Sequence, residues 1–168
     1  MKTNLALVIG GTGMLAEVVR ELSSIYGVVG VVGRTQDKLN SLSEFSPNIF
    51  PMKSDYSEIE NFEESLKAFT ANYEKPSLIV SWVHSSSPDV PILVSKYCEY
   101  DFYDIVGSSG RESSHISRIR EQKIVALGLN YHRVILGTLD GRWLTNEDIS
   151  TGVLQAIKIQ SPEFLVGN

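Results

Sequence analysis

The chain has 168 residues, a hydrophobic content of 42%, a charged content of 21% and a formal net charge of −5, values typical of one globular domain spanning residues 1–168. The negative charge argues against nonspecific nucleic-acid binding, because such binding requires clustered Lys and Arg. Cys98 is the only cysteine, which excludes a disulfide within the chain, and we expect it to be buried. No apolar run approaches the length of a membrane span, so we expect a cytoplasmic protein.

The first 26 residues predict a strand, a glycine turn and a helix. Leu5 to Ile9 is an unbroken apolar run, which is typical of a strand buried on both faces. From Met14 to Tyr26 the apolar residues recur at three- and four-residue spacing, which predicts an amphipathic helix. Three glycines within four positions separate the two elements.

The glycine turn has the spacing of a phosphate-binding loop. It fits G-x-G-x-x-A from Gly11 and G-x-x-G-x-x-A from Gly10, with Gly13 and Ala16 common to both patterns. A turn without side chains lets a pyrophosphate approach the backbone N–H groups at a helix N-terminus. The alternative is a tight strand-to-helix turn that binds nothing, which glycine also serves. The cofactor contacts predicted in the turn are Gly10, Gly11, Thr12, Gly13, Met14 and Leu15.

The end of the second predicted strand indicates which dinucleotide is bound. Val28 to Val32 is a second buried run, and Gly33, Arg34 and Thr35 follow it. An acidic residue there would favour NAD, whereas an arginine suits a 2′-phosphate. Arg34, with Lys38 one helical turn later, therefore favours NADP(H) over NAD(H), and Thr35 is a candidate helix N-cap. A solvent-exposed arginine without a ligand is the alternative.

Strands and helices continue to alternate through a fifth strand. This pattern predicts an α/β fold with a doubly wound, mostly parallel Rossmann-type sheet, helices on both faces and the strand order 3-2-1-4-5. The further elements predicted are strands at Ile49–Lys53, Leu78–Val83 and Phe102–Val106, a helix opened by a Ser57–Glu60 capping box, and a helix from Pro88 to Cys98.

The pattern after the fifth strand is less regular. Arg111 to Gln122 carries a weak helical signal, while Ile124–Leu127 and Tyr131–Leu136 are predicted strands. Asp140-Gly141 predicts a hairpin added to the sheet beside strand five. The remaining predictions are a capping box of Thr145 and Asp148 at the last helix, an edge strand at Phe164–Val166 and an outward-facing His132.

Polar loops follow the fourth and fifth strands, at the sheet edge where open α/β folds bind ligands. His84 to Pro88 is the first loop, and Gly107 to Gly110 is the second. His84 is a candidate general acid near neutral pH, and a structural, hydrogen-bonded histidine is the alternative. His115 and Tyr103 are weaker candidates.

The first 110 residues resemble the short-chain dehydrogenase/reductase family, particularly its divergent members. Gly10 to Leu15 looks like the family's cofactor loop, Gly33 to Thr35 like its NADP-type strand end, and Asp55 like the acidic residue that contacts adenine. The resemblance implies that Ser108 or Ser109 matches the catalytic serine. Further cofactor contacts expected at strand ends are Tyr56, Ser81, Trp82 and Val83, with Trp82 near the nicotinamide.

The chain departs from the family at the proton donor. None of its seven tyrosines is followed by a lysine four residues later, and Tyr131, the best placed in chain order, is followed by Ile135. The segment from Ser81 to Gly107 is also similar to the NADP-binding half of saccharopine-dehydrogenase-like proteins, through Ser87-Pro88 and Tyr103-Asp104.

Two functions remain open at the sequence level. The first is an NADPH-dependent oxidoreductase that reduces a small carbonyl or imine, with His84 and Ser108 as candidate catalytic residues. The second is a non-catalytic NADP(H)-binding sensor or regulatory subunit. Both hypotheses imply a small-molecule dinucleotide as ligand and allow a homo-oligomer, and neither involves a metal, a membrane or a nucleic acid.

Overall fold

The computed structural model describes residues 4–107 and 115–168, with backbone alone at 115 and 116. In these ranges a sheet lies between two layers of helices, and a short hairpin lies apart from it. The strands are β1 Leu5–Ile9, β2 Val28–Gly33, β3 Ile49–Lys53, β4 Leu78–Trp82, β5 Asp101–Gly107, β6 Asn130–Leu136, β7 Thr138–Leu139, β8 Arg142–Trp143 and β9 Glu163–Val166. The helices are α1 Ala16–Ile25, α2 Gln36–Phe45, α3 Ile59–Asn72, α4 Val90–Ser95, α5 His115–Val125 and α6 Asn146–Ile159.

The main sheet has the order β3-β2-β1-β4-β5-β6-β9, and every adjacent pair of its strands is parallel. The predicted order 3-2-1-4-5 is therefore confirmed. All five residues of β1 are buried, as expected for a central strand covered on both faces. The first apolar run of the sequence is thus the middle of the fold.

Two hydrophobic cores lie on opposite faces of the sheet. Val18 of α1 and Val153 of α6 belong to one core, together with residues of α2. Phe62 of α3 and Ile124 of α5 belong to the other, together with residues of α4. This arrangement confirms the predicted doubly wound architecture. Among the described helices, none is long and apolar enough to cross a membrane.

The hairpin prediction was wrong in its placement. The turn at Asp140-Gly141 does join two antiparallel strands, but β7 and β8 form a separate two-stranded sheet. The position beside β5 belongs to β6, and β9 extends the sheet beyond it, which confirms the edge strand predicted near Phe164. Thr138 instead exchanges backbone hydrogen bonds with Asn168 at 3.2 and 2.7 Å, which holds the hairpin beyond the end of β9.

Two element boundaries also differ from the predictions. Ile124 to Leu127 is not a strand, because the Ala126 N–H donates to the Gln122 carbonyl at 2.9 Å and the Leu127 N–H donates to the Ile124 carbonyl at 3.1 Å. Ile124 and Val125 end α5, and only one apolar residue of the run faces the core. The helix predicted from Pro88 to Cys98 is shortened to α4, since Tyr97 and Cys98 donate their N–H groups to carbonyls three residues back.

One capping box is present and one is not. The Thr145 hydroxyl accepts from the Asp148 N–H at 3.1 Å, and the Asp148 carboxylate accepts from the Thr145 N–H at 2.9 Å, as predicted. Ser57 instead donates its hydroxyl to the Asp55 carboxylate, and α3 begins after Glu58 without a side-chain cap. Thr35 occupies the N-cap position of α2, also without a side-chain bond.

Strand β3 is one edge of the sheet and carries Pro51 at its centre. Its pairing with β2 continues past its last residue, where the Ser54 N–H donates to the Gly33 carbonyl at 3.0 Å. The open edge of β3 therefore includes a residue without an N–H donor.

Candidate functional site at the carboxyl edge of the sheet

Gly10 is required by the fold, and Gly11 is closely packed. Gly10 has φ +77°, and a Cβ atom there would lie 2.7 Å from the Trp82 carbonyl oxygen. A Cβ on Gly11 would lie 3.0 Å from side chains of Val8, Val19 and Val31. These two glycines let the turn pack against β2 and β4.

Gly13 differs from both, because a Cβ atom there would meet no atom within 4 Å. Its φ is not in the left-handed range. Gly13 lines a cleft of about 560 Å³ between α1 and α6, and its carbonyl accepts the Ala16 N–H at 3.2 Å where α1 begins. The fold does not require a glycine here, so the missing side chain keeps open the space beside the turn.

The other turn residues hold the turn in place. The Thr12 methyl group packs against Gly33. A Cβ atom on Gly33 would overlap with this methyl group. Leu15 is fully buried in the core below α1. The Met14 carbonyl accepts the Ser150 hydroxyl of α6 at 2.7 Å. The backbone of the turn is thus fixed from both sides before any ligand binds.

The end of β2 carries a cation that forms no close ion pair among the described residues. Arg34 is exposed and forms no ion pair with the described residues. It lines a cleft of about 420 Å³ together with Asp55 and Lys53. Hydrogen bonds from the hydroxyl and the N–H of Ser57 lower the pKa of the Asp55 carboxyl, and the charge of Arg34 adds to this effect. Lys38 is exposed on α2 and is absent from the residues that line the cleft.

Four predicted residues lie at the end of β4 or directly after it. Trp82 is half-buried, with its Cδ1 only 3.3 Å from the position of a Cβ on Gly10. Val83 packs partly against the core. Ser81 is fully buried, and its hydroxyl has no hydrogen-bond partner among the described residues. The His84 N–H donates to the Tyr56 hydroxyl at 3.0 Å, which links the loop after β4 to the loop after β3.

One ring nitrogen of His84 has a hydrogen-bond partner among the described residues, and the other has none. Its Nδ1 lies 3.2 Å from the Ser86 hydroxyl, while Nε2 contacts no hydrogen-bond partner within the described ranges. The ring is exposed to solvent. A histidine oriented through Nδ1 with Nε2 facing outward is a group that can donate a proton to a ligand. Ser108 and Ser109 lie outside the described residues, as does the side chain of His115.

The polar residues of β5 and β6 are not at the site. The Tyr131 hydroxyl donates to the Asp104 carboxylate at 2.6 Å, and Arg120 of α5 pairs with the same carboxylate at 2.9 Å. Burial, followed by the Asp104 charge, raises the pKa of the Tyr131 hydroxyl. Tyr131 is therefore unsuited to donate a proton to a ligand, because it is buried, hydrogen-bonded to Asp104 and harder to ionise than a free phenol.

The prediction that His132 faces outward was wrong. Its side chain is buried and stacks on Tyr103 with ring centroids 4.2 Å apart, while Nδ1 lies 2.8 Å from the Ser161 carbonyl. Tyr103 and Asp104 occupy opposite faces of β5, so they do not act together. Cys98 is buried as expected, and burial raises the pKa of its thiol to about 12.

Sequence reasoning missed two residues that contribute to this edge. Lys53 ends β3 and pairs in register with Gly33, beside Arg34. Ser150 reaches the turn from α6. The position of Lys53 at a strand end was a usable signal, whereas the contact of Ser150 with a residue 136 positions away had none in the sequence.

Comparison with known proteins identifies the fold. No protein-family model matches the chain, and no curated protein matches it in sequence. A metagenomic short-chain oxidoreductase in complex with NADP superposes with a TM-score of 0.70 at 15% identity, covering 99% of this chain and 98% of that chain. A short-chain dehydrogenase/reductase from Serratia marcescens gives 0.70 at 13% identity, with 99% and 98% covered. A 3-oxoacyl-[acyl-carrier protein] reductase from Brucella melitensis gives 0.64 at 13% identity, with 99% and 96% covered.

Proposed function

We propose that this chain, which has the Rossmann-type fold of the short-chain dehydrogenases/reductases, binds NADP(H) and reduces a small carbonyl or imine. The observation that carries the proposal is the open turn at Gly13 at the start of α1, together with the unpaired guanidinium of Arg34 at the end of β2. An open turn at a helix N-terminus and a cation that forms no close ion pair among the described residues both suit an anionic ligand.

The residues at this edge fit the parts of the dinucleotide. Gly10 to Leu15 would hold the pyrophosphate, because backbone N–H groups and the dipole of α1 favour an anion there. Arg34 and Thr35 would contact the 2′-phosphate. Asp55 and Tyr56 would border the adenine. The residues assigned to the nicotinamide side are Ser81, Trp82 and Val83.

The proposed chemistry assigns one role to the cofactor and one to the protein. NADPH supplies the hydride when it is bound. His84 would supply the proton to the carbonyl oxygen or imine nitrogen, since its Nε2 is open and its Nδ1 is held by Ser86. Ser108 remains a candidate for holding the substrate oxygen, by its match to the family's serine.

A non-catalytic NADP(H) sensor or regulatory subunit is the second candidate. It is favoured by the absence of a Tyr-x-x-x-Lys motif and by the burial of Tyr131 against Asp104. The two candidates share the cofactor site and differ in turnover. NADPH oxidation in the presence of small aldehydes, ketones and imines separates them, because only the reductase consumes the cofactor.

The test of cofactor binding is Gly13→Val. We expect this variant to lose NADPH binding, because the side chain would occupy the place of the pyrophosphate, while unfolding free energy falls by only about 1–2 kcal/mol. Calorimetry with NADPH measures the first effect, and a melting curve measures the second. Ser24→Val, on the exposed last turn of α1, is the control for a valine introduced at an exposed position. If the unmodified protein shows neither heat of binding nor stabilisation at millimolar NADPH, the dinucleotide proposal is wrong.

A further inference from the structure

The cleft at the end of β2 is lined by two cations from neighbouring strands. Arg34 follows β2 and Lys53 ends β3, and the register of the two strands pairs Gly33 with Lys53. The Ser54 N–H donates to the Gly33 carbonyl at 3.0 Å, which keeps the two strand ends together. The cleft measures about 420 Å³ and opens at the same sheet edge as the glycine turn.

Both cations lie beyond ion-pair distance of the carboxylates in the part of the chain that the structure describes, although the charge of Arg34 does reach Asp55. Arg34 and Lys53 take part in none of the ion pairs there. Two carboxylates line the same cleft, but each has its own donors. The Asp55 carboxylate accepts the Ser57 N–H at 2.9 Å and the Ser57 hydroxyl at 2.7 Å. The Glu58 carboxylate accepts the side-chain amide of Asn61 at 3.2 Å.

We propose that Lys53, rather than Lys38, is the second cation that binds the 2′-phosphate of NADP(H). This inference rests on the proposed function. Lys38 is exposed on α2 and does not line the cleft, whereas Lys53 and Arg34 do. A phosphate monoester carries a charge of about −1.5 to −2 near neutral pH, so one guanidinium alone leaves it incompletely neutralised. Arg34 offers a planar fork to the phosphate oxygens, and Lys53 adds a compact charge from the neighbouring strand.

The experiment compares Lys53→Met with Lys38→Met. Calorimetry with NADPH and with NADH is carried out on both variants and on the unmodified protein. We expect Lys53→Met to weaken NADPH about five- to tenfold, because one exposed charge-assisted contact is lost. NADH affinity should stay the same, since NADH has no 2′-phosphate. Lys53→Arg should keep the NADPH preference, and added salt should weaken NADPH less in Lys53→Met than in the unmodified protein.

The outcomes separate this inference from the proposed function. If the unmodified protein prefers NADPH and Lys53→Met retains the full preference, or Lys38→Met loses it instead, the assignment to Lys53 is overturned. An equal loss for NADPH and NADH also overturns it, because Lys53 would then act on the shared part of the ligand or on the fold. If the unmodified protein binds neither dinucleotide, the proposed function fails and this inference fails with it. Melting curves of each variant confirm that it is folded.

Discussion

At the ends of β2 and β4, Arg34 and His84 are exposed to solvent, whereas in β5 and β6 Asp104 and Tyr131 are buried and hydrogen-bonded to each other. The first half of the sheet thus leaves polar groups open at its carboxyl edge. The second half uses its polar groups inside the core, with Arg120 neutralising Asp104. A polar residue near a strand end therefore indicates a ligand site only when its partners within the fold are known.

We expect the largest effect on stability from a substitution that removes the buried ion pair between Asp104 and Arg120. Asp104→Asn keeps the shape of the side chain but leaves Arg120 without its counter-charge, so we expect the free energy of unfolding to fall by about 3–5 kcal/mol. Urea unfolding measures it. Asp37→Asn, at an exposed position of α2, is the matched control and should change stability by about 0.5 kcal/mol or less. A loss at Asp104 no larger than that of the control would contradict a stabilising role for the buried pair.

The open half is tested by Arg34→Asp. The variant replaces the attractive charge beside the proposed 2′-phosphate by a repulsive one, so NADPH binding should weaken by about 2–3 kcal/mol. NADH should be affected far less, and stability should hardly change because Arg34 is exposed and unpaired. Fluorescence titration with both cofactors measures the difference. Equal affinity of the unmodified protein for NADPH and NADH would rule out the preference.

The smallest effect concerns the hydrogen bond that joins α6 to the glycine turn. Ser150→Ala removes the hydroxyl that donates to the Met14 carbonyl, so unfolding free energy should fall by about 1 kcal/mol. Ser24→Ala is the control, because the Ser24 hydroxyl bonds within its own exposed helix turn. Urea unfolding of both variants checks the prediction. Identical losses would show that the contact between α6 and the turn does not contribute beyond a local serine bond.

The parallel core of the fold was predictable because its signals are local. Apolar runs indicated β1, β2 and β4, with Gly30 inside the second and Ser81 inside the third, and the turn glycines and Arg34 stand at distances that a strand-helix-strand unit determines. The short run Ile124–Leu127 was not predictable, because four consecutive apolar residues fit a strand and a helix end equally well. The backbone hydrogen bonds of Ala126 and Leu127, to carbonyls four and three residues back, distinguish them.

Part of the candidate site was also predictable, because its sequence signals are local to the strand ends. Residues adjacent to a strand end, such as His84 and Asp55, were found from the sequence. Lys53 was missed because its nearness to Arg34 follows from the register between β2 and β3, which the chain order does not state. The burial of His132 was missed because an alternating strand pattern does not reveal that Tyr103 of the neighbouring strand stacks on its ring.

Pro51 gives the sheet a protected rim. The Ser54 N–H points to β2, and N–H directions alternate along a strand, so the backbone nitrogen of Pro51 faces away from the sheet. A second chain that paired with this edge would require an N–H donor at that position. A copy of this protein that approached the β3 edge would find a gap in the ladder of hydrogen bonds at its centre. Edge-to-edge association of chains is the first step toward a continuous intermolecular sheet. It is disfavoured at this edge by Pro51, whose backbone nitrogen carries no hydrogen.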